Sequence, residues 1–203
     1  VFMNEVGLLI LAAGASRRMG QIKALLPWGN KTLLSHQLET ALSVGKNLVL
    51  VLGAHAPTIQ KTLKNQSLYT VVNPQWEEGM GTSLAFGTRA ILQKFPAIKG
   101  LLVLTTDQPL VSQLHLNNML AAFQPHNKQI IVSSSADGWQ GVPVLFDAFY
   151  FEALQQLTGD FGAKKLTQQF KEHLMAIPAG DQLVDVDTPE SYAALQRKIN
   201  PQS

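Results

Sequence analysis

The sequence contains no cysteine and few charged residues, and both shortages restrict what the protein can be. Without cysteine, disulfides, thiolate nucleophiles and thiolate metal ligands are all excluded. Charged residues make up 15% of the 203 positions and the net charge is only +2, whereas broad binding to nucleic acid or membranes needs a concentrated basic face. We therefore expect no nucleic-acid or membrane partner, and any recognition of anions must be local.

Long hydrophobic runs are also lacking. The apolar stretch at residues 8–13 is far too short to cross a bilayer and has no cleavage-site context. The absence of cysteine permits a reducing compartment, and we expect a cytoplasmic protein. A hydrophobic content of 46% over this length is typical of one domain with a full core, which we assign to residues 1–203.

Short apolar runs alternate with segments of helical periodicity, and this alternation predicts the fold class. The runs lack polar positions, as strands buried on both faces of a parallel sheet do. They lie at residues 6–12, 47–53, 69–73, 101–105 and 129–133, with helices predicted between them at 32–44, 56–64, 81–93 and 112–123. Shorter strands are predicted at 142–146, 174–178 and 183–186. The pattern indicates an α/β fold, a three-layer α/β/α sandwich with a mostly parallel, mixed central sheet.

Residues 9–23 run from an apolar strand directly into a small, glycine-containing, basic loop. Backbone amides of small residues can approach an anion closely, and Arg17, Arg18 and Lys23 add three cations within seven residues. The loop has neither the P-loop order nor the G-x-G-x-x-G of a dinucleotide-binding fold. We expect it to hold a polyphosphate in a third way; an ordinary basic turn is the alternative.

Asp107 directly follows the apolar run 101–106 and precedes Gln108 and Pro109. A carboxylate at the carboxyl end of a strand lies where open α/β sheets bind their ligands, and it suits Mg²⁺. The alternative role for Asp107 is to cap the helix that begins near Ser112.

A second acidic site lies near the carboxyl terminus of the chain. If residues 183–187 are extended, Asp185 and Asp187 point to the same face. Mg²⁺ usually takes one or two carboxylates together with phosphate oxygens and water, so Asp107 with Asp187, or with Asp185, would suffice. Asp187 could instead cap the terminal helix that Pro189 opens.

A third site lies in the segment 73–84, where two glycines and two hydroxyls open a helix. Free N–H groups at a helix N-terminus and small residues let a base or ribose lie close. A purely structural loop is the alternative, and Trp76 could equally anchor the core.

These segments resemble the nucleotidyltransferases related to molybdenum cofactor cytidylyltransferase. The first loop has the order L-A-A-G-x-S-x-R-M-G-x-x-K, Asp107 lies in x-D-x-P, and residues 185–190 read D-x-D-T-P-E. Residues 73–84 read N-P-x-W-x-x-G-M-G-x-S-L, and residues 139–146 and 159–164 are also similar to family segments. The resemblance extends from about residue 7 to 195 through these ordered motifs.

The resemblance implies a Mg²⁺-dependent transfer of CMP from CTP to molybdopterin cofactor, with release of pyrophosphate. It implies catalytic roles for Arg18, Lys23 and Asp107, and Mg²⁺ ligands among Asp107, Asp187 and Asp185. The implied nucleotide-binding residues are Leu11, Ala12, Ala13, Gly14, Ala15, Ser16, Arg17, Arg18, Lys23, Gly79, Gly81 and Ser83. The implied acceptor-binding residues are Gln108, Gly141 and Pro143. Ala13 favours CTP, because guanylyl relatives usually have glycine there.

At two positions the sequence departs from the family pattern, and the identity of the acceptor therefore stays open. The molybdopterin cytidylyltransferases often carry arginine and histidine where this chain has Gln140 and Val142. Transfer to another phosphorylated acceptor is therefore an alternative within the same reaction class. A non-catalytic chaperone that carries a nucleotide or cofactor to a transient molybdoenzyme partner is the alternative from another class. The histidines have no metal-ligand spacing and are expected to be structural.

Overall fold

The computed structural model describes residues 5–63, 68–160 and 162–199. Its strands are β1 (Val6–Ala12), β2 (Pro27–Trp28), β3 (Lys31–Thr32), β4 (Leu48–Leu52), β5 (Tyr69–Val72), β6 (Gly100–Thr105), β7 (Ile130–Ser135), β8 (Gln140–Asp147) and β9 (Leu174–Gly180). Its helices are α1 (Leu33–Leu42), α2 (Ala56–Thr62), α3 (Met80–Lys94), α4 (Gln113–Ala122), α5 (Phe151–Gln155), α6 (Lys164–Gln169) and α7 (Pro189–Ile199). No described helix is both long and apolar enough to cross a membrane.

Seven strands form one sheet in the order β5-β4-β1-β6-β8-β7-β9. Strand β8 runs antiparallel to both neighbours, and the other neighbouring pairs are parallel. The mixed, mostly parallel sheet predicted from the sequence is thus confirmed. Strands β2 and β3 form a separate two-stranded hairpin that the apolar pattern did not predict, because each has only two residues.

The central strands β1 and β4 are buried on both faces because they carry no polar side chain. Leu8 and Ile10 pack on one face against side chains of α1, α2 and α4. Leu9 and Val103 pack on the other face against α3, α5 and α6. Successive strand residues point to opposite faces, so an uninterrupted apolar run supplies both cores, and the three-layer arrangement follows.

The C-terminal helix α7 packs against the segment that follows β1. Leu195 of α7 and Val186 form a third apolar cluster with Met19, Leu26 and other residues of that segment. The Gln196 amide also donates a hydrogen bond to the Pro27 carbonyl, 2.7 Å away. This packing places the segment near residue 187 beside the carboxyl ends of the central strands.

Three sequence-based expectations need adjustment. Residues 183–186 are not a strand, because the Val186 amide bonds to the Asp107 carbonyl at 2.7 Å and its side chain enters the third apolar cluster. The helix predicted over 56–64 ends at Thr62, and residue 64 lies outside the described residues. Ser112 does cap α4, since its hydroxyl accepts a hydrogen bond from the His115 amide, and Asp107 is therefore not that cap.

Candidate active site

The loop after β1 is a short, tightly bonded turn that presents cationic side chains. Ser16 has the left-handed backbone conformation, φ 52° and ψ 34°, which is uncommon for a residue with a Cβ. Its hydroxyl accepts a hydrogen bond from the Lys23 amide at 3.1 Å, and its carbonyl accepts one from the Met19 amide at 3.0 Å. These bonds fix the start of the loop relative to Lys23.

The chain after β4 supports the same loop from the side. The Ala54 amide donates to the Ala13 carbonyl at 3.1 Å, and the His55 ring lies 3.1 Å from the Ala15 carbonyl through Nε2. Gly53 has no space for a side chain, because a Cβ there would lie 2.5 Å from the Ala13 carbonyl oxygen. The sequence analysis did not single out His55, and the strand-end position of Gly53-Ala54 was the signal that could have indicated it.

A cation lies between two carboxylates at the centre of the site. Lys23 Nζ is 2.7 Å from Asp187 Oδ1 and 3.3 Å from Asp107 Oδ2. Arg18 reaches Asp187 Oδ2 at 3.6 Å from a side chain that is 76% exposed. Thr188, rather than Asp187, caps α7 through its hydroxyl and the Ser191 amide. Both alternatives that assigned Asp107 and Asp187 to helix capping are thus wrong.

Asp185 has a different hydrogen-bond partner from Asp187, although only two residues separate them. Its Oδ1 accepts a hydrogen bond from the Gln108 side-chain amide at 3.0 Å. Loss of solvation, together with the nearby Asp107 carboxylate, raises the pKa of Asp185 above its usual range. The hydrogen bond from Lys23 lowers the pKa of Asp187. The two aspartates are therefore electrostatically different.

The segment 73–83 forms another wall. The buried Asn73 side chain donates to the hydroxyls of Thr82 and Ser83 at 3.1 and 3.0 Å. Sequence reasoning did not single out Asn73, although the Asn-Pro pair after a strand could have indicated it. Gly79 has φ 110°, and the Gly81 amide bonds to the Gly159 carbonyl at 2.8 Å. The glycines thus let the backbones of two loops touch.

Two cavities meet at the carboxyl ends of β1 and β6. The first, about 620 Å³, is lined by the loop after β1 and by all of the predicted nucleotide-binding residues except Gly81, together with Asp107 and Asp187. The second, about 570 Å³, is lined by Gln108, Gly141 and Asp185 among others. Residues shared by both cavities are Leu11, Met80, Thr105 and Asp107.

Pro143 is the predicted acceptor-binding residue that does not line the second cavity. It is buried within β8, and its carbonyl accepts a hydrogen bond from the Ser133 hydroxyl at 2.8 Å. Its neighbours Val142 and Val144 line the cavity instead. Adjacent strand residues face opposite sides of a sheet, so a contact from Val142 and Val144 excludes one from the side chain between them.

Asp107 and Asp187 are two carboxylates available to a divalent cation in the first cavity. Asp107 and Asp187 direct one oxygen each to the same ammonium position, so two carboxylates converge on one cationic centre. Within the described part of the chain, no group of three or more histidine or acidic side chains could hold a metal. Two carboxylates fit Mg²⁺ if phosphate oxygens and water complete its coordination.

The fold and site define an α/β protein whose basic loop lies beside paired carboxylates at the carboxyl ends of the central strands. The chain belongs to the family described as the MobA-like NTP transferase domain, which matches residues 8–174. This match confirms the resemblance to the nucleotidyltransferases and supports a transferase.

The individual proteins to which the chain is similar have names that indicate different functions. The chain is 35% identical to the purine catabolism protein PucB of Bacillus subtilis, over 95% of this chain and 96% of that protein. It is 33% identical to nicotine blue oxidoreductase of Paenarthrobacter nicotinovorans, over 92% and 94%. The chain is 34% identical to the molybdenum cofactor cytidylyltransferase of Escherichia coli over only 44% of this chain and 47% of that protein.

Solved structures share the complete fold. The crystal structure of Rv0371c from Mycobacterium tuberculosis superimposes with a TM-score of 0.81 and 27% identity, covering 95% of this chain and 97% of that one. A second structure of Rv0371c, a complex with manganese, has a TM-score of 0.78 and 26% identity, covering 95% and 98%. The Rossmann-like nucleotidyltransferase fold is therefore confirmed over nearly the whole chain.

Proposed function

We propose that the protein transfers CMP from CTP to the terminal phosphate of molybdopterin cofactor and releases pyrophosphate. An oxygen of the acceptor phosphate forms a new bond to the α-phosphorus of CTP. The bond from that phosphorus to the oxygen bridging to the β-phosphate breaks, and this oxygen leaves with pyrophosphate. The acceptor phosphate is already ionised near neutral pH, so the reaction needs no general base.

The observation that carries this proposal is the position of Lys23 between Asp107 and Asp187 in the first cavity, with Asp107 also lining the second. Transfer brings two anionic phosphates together, and catalysis of such reactions depends mainly on positioning and electrostatic stabilisation. A cavity with a basic loop suits the triphosphate, and an adjoining cavity suits the acceptor. Their shared wall at Asp107 is where the reacting phosphates would meet.

The residues of the first loop would bind the leaving pyrophosphate. Backbone amides around Gly14 and the turn at Ser16 suit anionic oxygens. Arg18, whose side chain is largely exposed, and Lys23 supply positive charge. Pre-positioned cations stabilise the charge that develops on a leaving group without further reorganisation.

Asp107 and Asp187 are the proposed ligands of Mg²⁺, and Asp185 is left for another role because it faces the second cavity. Bound there, Mg²⁺ would neutralise phosphate oxygens and align the two substrates. The manganese complex of Rv0371c supports a divalent cation in this fold. Lys23 must then exchange its carboxylate contacts for phosphate contacts as the substrate enters.

Gln140 and Val142 keep a second acceptor within the proposal, since both residues line the second cavity. A different phosphorylated compound would use the same nucleotide cavity and the same displacement chemistry. The relatives named for purine catabolism and for nicotine blue show that similar chains bear different functional names.

The test is pyrophosphate release in the presence of Mg²⁺, molybdopterin cofactor and each of CTP, GTP, ATP and UTP in turn. Release with CTP alone is the expected result. Release with CTP only when another phosphorylated acceptor replaces molybdopterin would favour the second acceptor. Tight CTP binding without pyrophosphate from any acceptor would contradict the enzymatic proposal and favour a carrier.

A further inference from the structure

Two carbonyl groups of the loop after β1 are bonded to the turn at residues 53–55, which follows β4. The Ala54 backbone amide donates to the Ala13 carbonyl at 3.1 Å, and His55 Nε2 lies 3.1 Å from the Ala15 carbonyl. Because a carbonyl oxygen can only accept a hydrogen bond, the His55 ring carries a proton on Nε2 and donates it. The Ala13 and Ala15 carbonyls therefore both face this turn.

The same two peptide groups direct their amides the other way. The peptide bonds 13–14 and 15–16 are both trans, and in a planar trans peptide the carbonyl and the following amide point in opposite directions. The Gly14 and Ser16 amides thus point away from the turn at 53–55 and toward the first cavity, which both residues line. In the part of the chain that the structure describes, neither amide donates a hydrogen bond to the protein. Both amides are therefore available to an anion.

The backbone that carries the His55 ring is held in place from two sides. The His55 carbonyl accepts hydrogen bonds from the Thr58 and Ile59 amides at 3.1 and 3.0 Å, at the start of α2. Ile59 is 1% exposed and packs in the same apolar core as β1 and β4. On the other side, Gly53 lies so close to the loop that a Cβ would not fit there. The ring therefore reaches the loop from a fixed base, and its hydrogen bond couples the loop to α2.

We infer that His55 is a positioning residue for the nucleotide triphosphate. Its Nε2–H holds the Ala15 carbonyl toward the turn and so aims the Ser16 amide at an oxygen of the leaving pyrophosphate. Ala54 does the same for the Gly14 amide, but through a backbone bond that an ordinary side-chain substitution leaves in place. His55 is therefore the position at which the orientation of the loop can be tested. The inference rests on the proposed function for its assumption that the first cavity holds a nucleotide.

Loss of the His55 hydrogen bond should weaken only ligands that contain the pyrophosphate part of the nucleotide. A backbone amide bonded to a phosphate oxygen makes a charge-assisted hydrogen bond, which is stronger than a neutral one. If the peptide between Ala15 and Ser16 is free to turn, this bond to the ligand is lost, and we expect CTP to bind about 10-fold less tightly. CMP has no β- or γ-phosphate and should keep its affinity.

The experiment is a calorimetric titration of the full-length chain with CTP, with CMP and with inorganic pyrophosphate, in the presence of Mg²⁺ and without any acceptor. His55→Leu removes the donor and keeps an apolar side chain of moderate size. We expect this variant to bind CTP and pyrophosphate about 10-fold less tightly than the unaltered protein. Its affinity for CMP should be unchanged, so that the ratio of the CTP and CMP affinities falls.

Two further substitutions separate the hydrogen bond from the ring itself. The side-chain nitrogen of His55→Gln lies about as far from the backbone as Nε2 and can donate to the Ala15 carbonyl, so this variant should recover the affinity for CTP. The shorter side chain of His55→Asn reaches only the place of Nδ1 and should stay weak. His173→Leu is the control, because its ring bonds to the Tyr150 hydroxyl at 2.6 Å and is not among the described residues that line either cavity. It should bind all three ligands as the unaltered protein does.

Three results would overturn the inference. Unchanged binding of CTP by His55→Leu would mean that the loop keeps its orientation without the ring. Equal weakening of CTP and CMP would mean that the substitution disturbs the whole cavity rather than the triphosphate end. A His55→Gln variant as weak as His55→Leu would mean that the ring acts in some way other than by donating to the Ala15 carbonyl. If His55→Leu does not fold, the comparison of His55→Gln with His55→Asn decides the question.

Failure here and failure of the proposed function give different results. Selective weakening of CTP and pyrophosphate in His55→Leu, in a protein that releases no pyrophosphate with any acceptor, would contradict only the proposed transfer reaction. Pyrophosphate release from CTP and molybdopterin, with CTP and CMP weakened equally in His55→Leu, would contradict only the assignment of His55. The titration with pyrophosphate alone also tests the loop independently of which base the cavity prefers.

Discussion

Lys23 Nζ lies 2.7 Å from Asp187 Oδ1, although 164 positions separate the two residues in the chain. The Lys23 side chain is 14% exposed and that of Asp187 is 37% exposed, so the pair is partly shielded from solvent. The contact joins the loop after β1 to the segment before α7. It therefore depends on the packing of α7 against the first loop.

Replacing Lys23 by methionine should lower turnover by about two to three orders of magnitude, the usual effect of losing one pre-positioned electrostatic group. The pKa of Asp187 should rise at the same time, because the hydrogen bond from Lys23 is the largest cause that lowers it. Steady-state pyrophosphate release and an NMR titration of Asp187 measure the two effects. Lys31→Met, which removes a surface pair with Glu39, is the control and should change neither.

Asp107→Ala should also lower turnover by about two to three orders of magnitude while the chain stays folded. Asp107 reaches both cavities and its side chain is partly exposed, so its loss removes charge without opening the core. The exposed Asp137→Ala serves as the control. Wild-type turnover in Asp107→Ala and Lys23→Met, with both variants folded, would refute the proposed mechanism.

Folding stability should fall as the pH drops below about 6.5, in part because of His115. Burial of this ring disfavours its charged form and lowers its pKa from 6.5. The unfolded chain then binds more protons than the folded chain below that pH, so the free energy of unfolding decreases as the pH falls.

Urea unfolding at several pH values between about 7 and about 5 measures this slope. His115→Gln should flatten the slope over that range, because the ring that resists protonation is gone. His126→Gln, at an exposed position, should leave the slope as it is. An unaltered slope in His115→Gln would show that another group is responsible.

Gly79→Ala should damage the wall of the nucleotide cavity. The residue has φ 110°, and an added Cβ would lie 2.5 Å from the carbonyl carbon of Gly159 and 2.4 Å from Asp160 Oδ1. Gly138 has φ 87°, and a Cβ added there would meet only open space. Gly138→Ala should therefore lose stability through backbone strain alone, by about 1–2 kcal/mol.

We expect Gly79→Ala to have the lower melting temperature and a raised KM for CTP, and Gly138→Ala to keep the wild-type KM. Thermal unfolding and steady-state kinetics measure these quantities. Similar losses in both variants would mean that the contact between the 79 and 159 segments does not support the cavity.

Some features were readable from the sequence because they are local. An uninterrupted apolar run such as residues 6–12 indicates a strand buried on both faces. The spacing of the apolar residues in α1 indicates a helix. The first loop and the x-D-x-P segment could be recognised because small, charged and rigid residues follow each other there in a fixed order. The family and the fold were therefore predicted correctly.

Other features are set by contacts between distant segments. Residues 183–186 were predicted to form a strand, but the Val186 amide bonds to the Asp107 carbonyl instead of a sheet partner, and the Val186 side chain is buried in the third apolar cluster. The two-residue strands of the hairpin are too short to carry a periodic signal. Pro143 was assigned to the acceptor site by motif, whereas its register in β8 turns it away from the cavity.

The sequence by itself determined the three-layer fold, the basic loop and the position of Asp107 at a strand end, because each depends on residues close together in the chain. Only the tertiary structure decided that Asp187 joins Lys23 while Asp185 joins Gln108. That division depends on how α7 and β6 approach each other across the site. Two residues of separation in sequence do not fix which cavity a side chain enters, since long-range packing sets the path of the backbone between them.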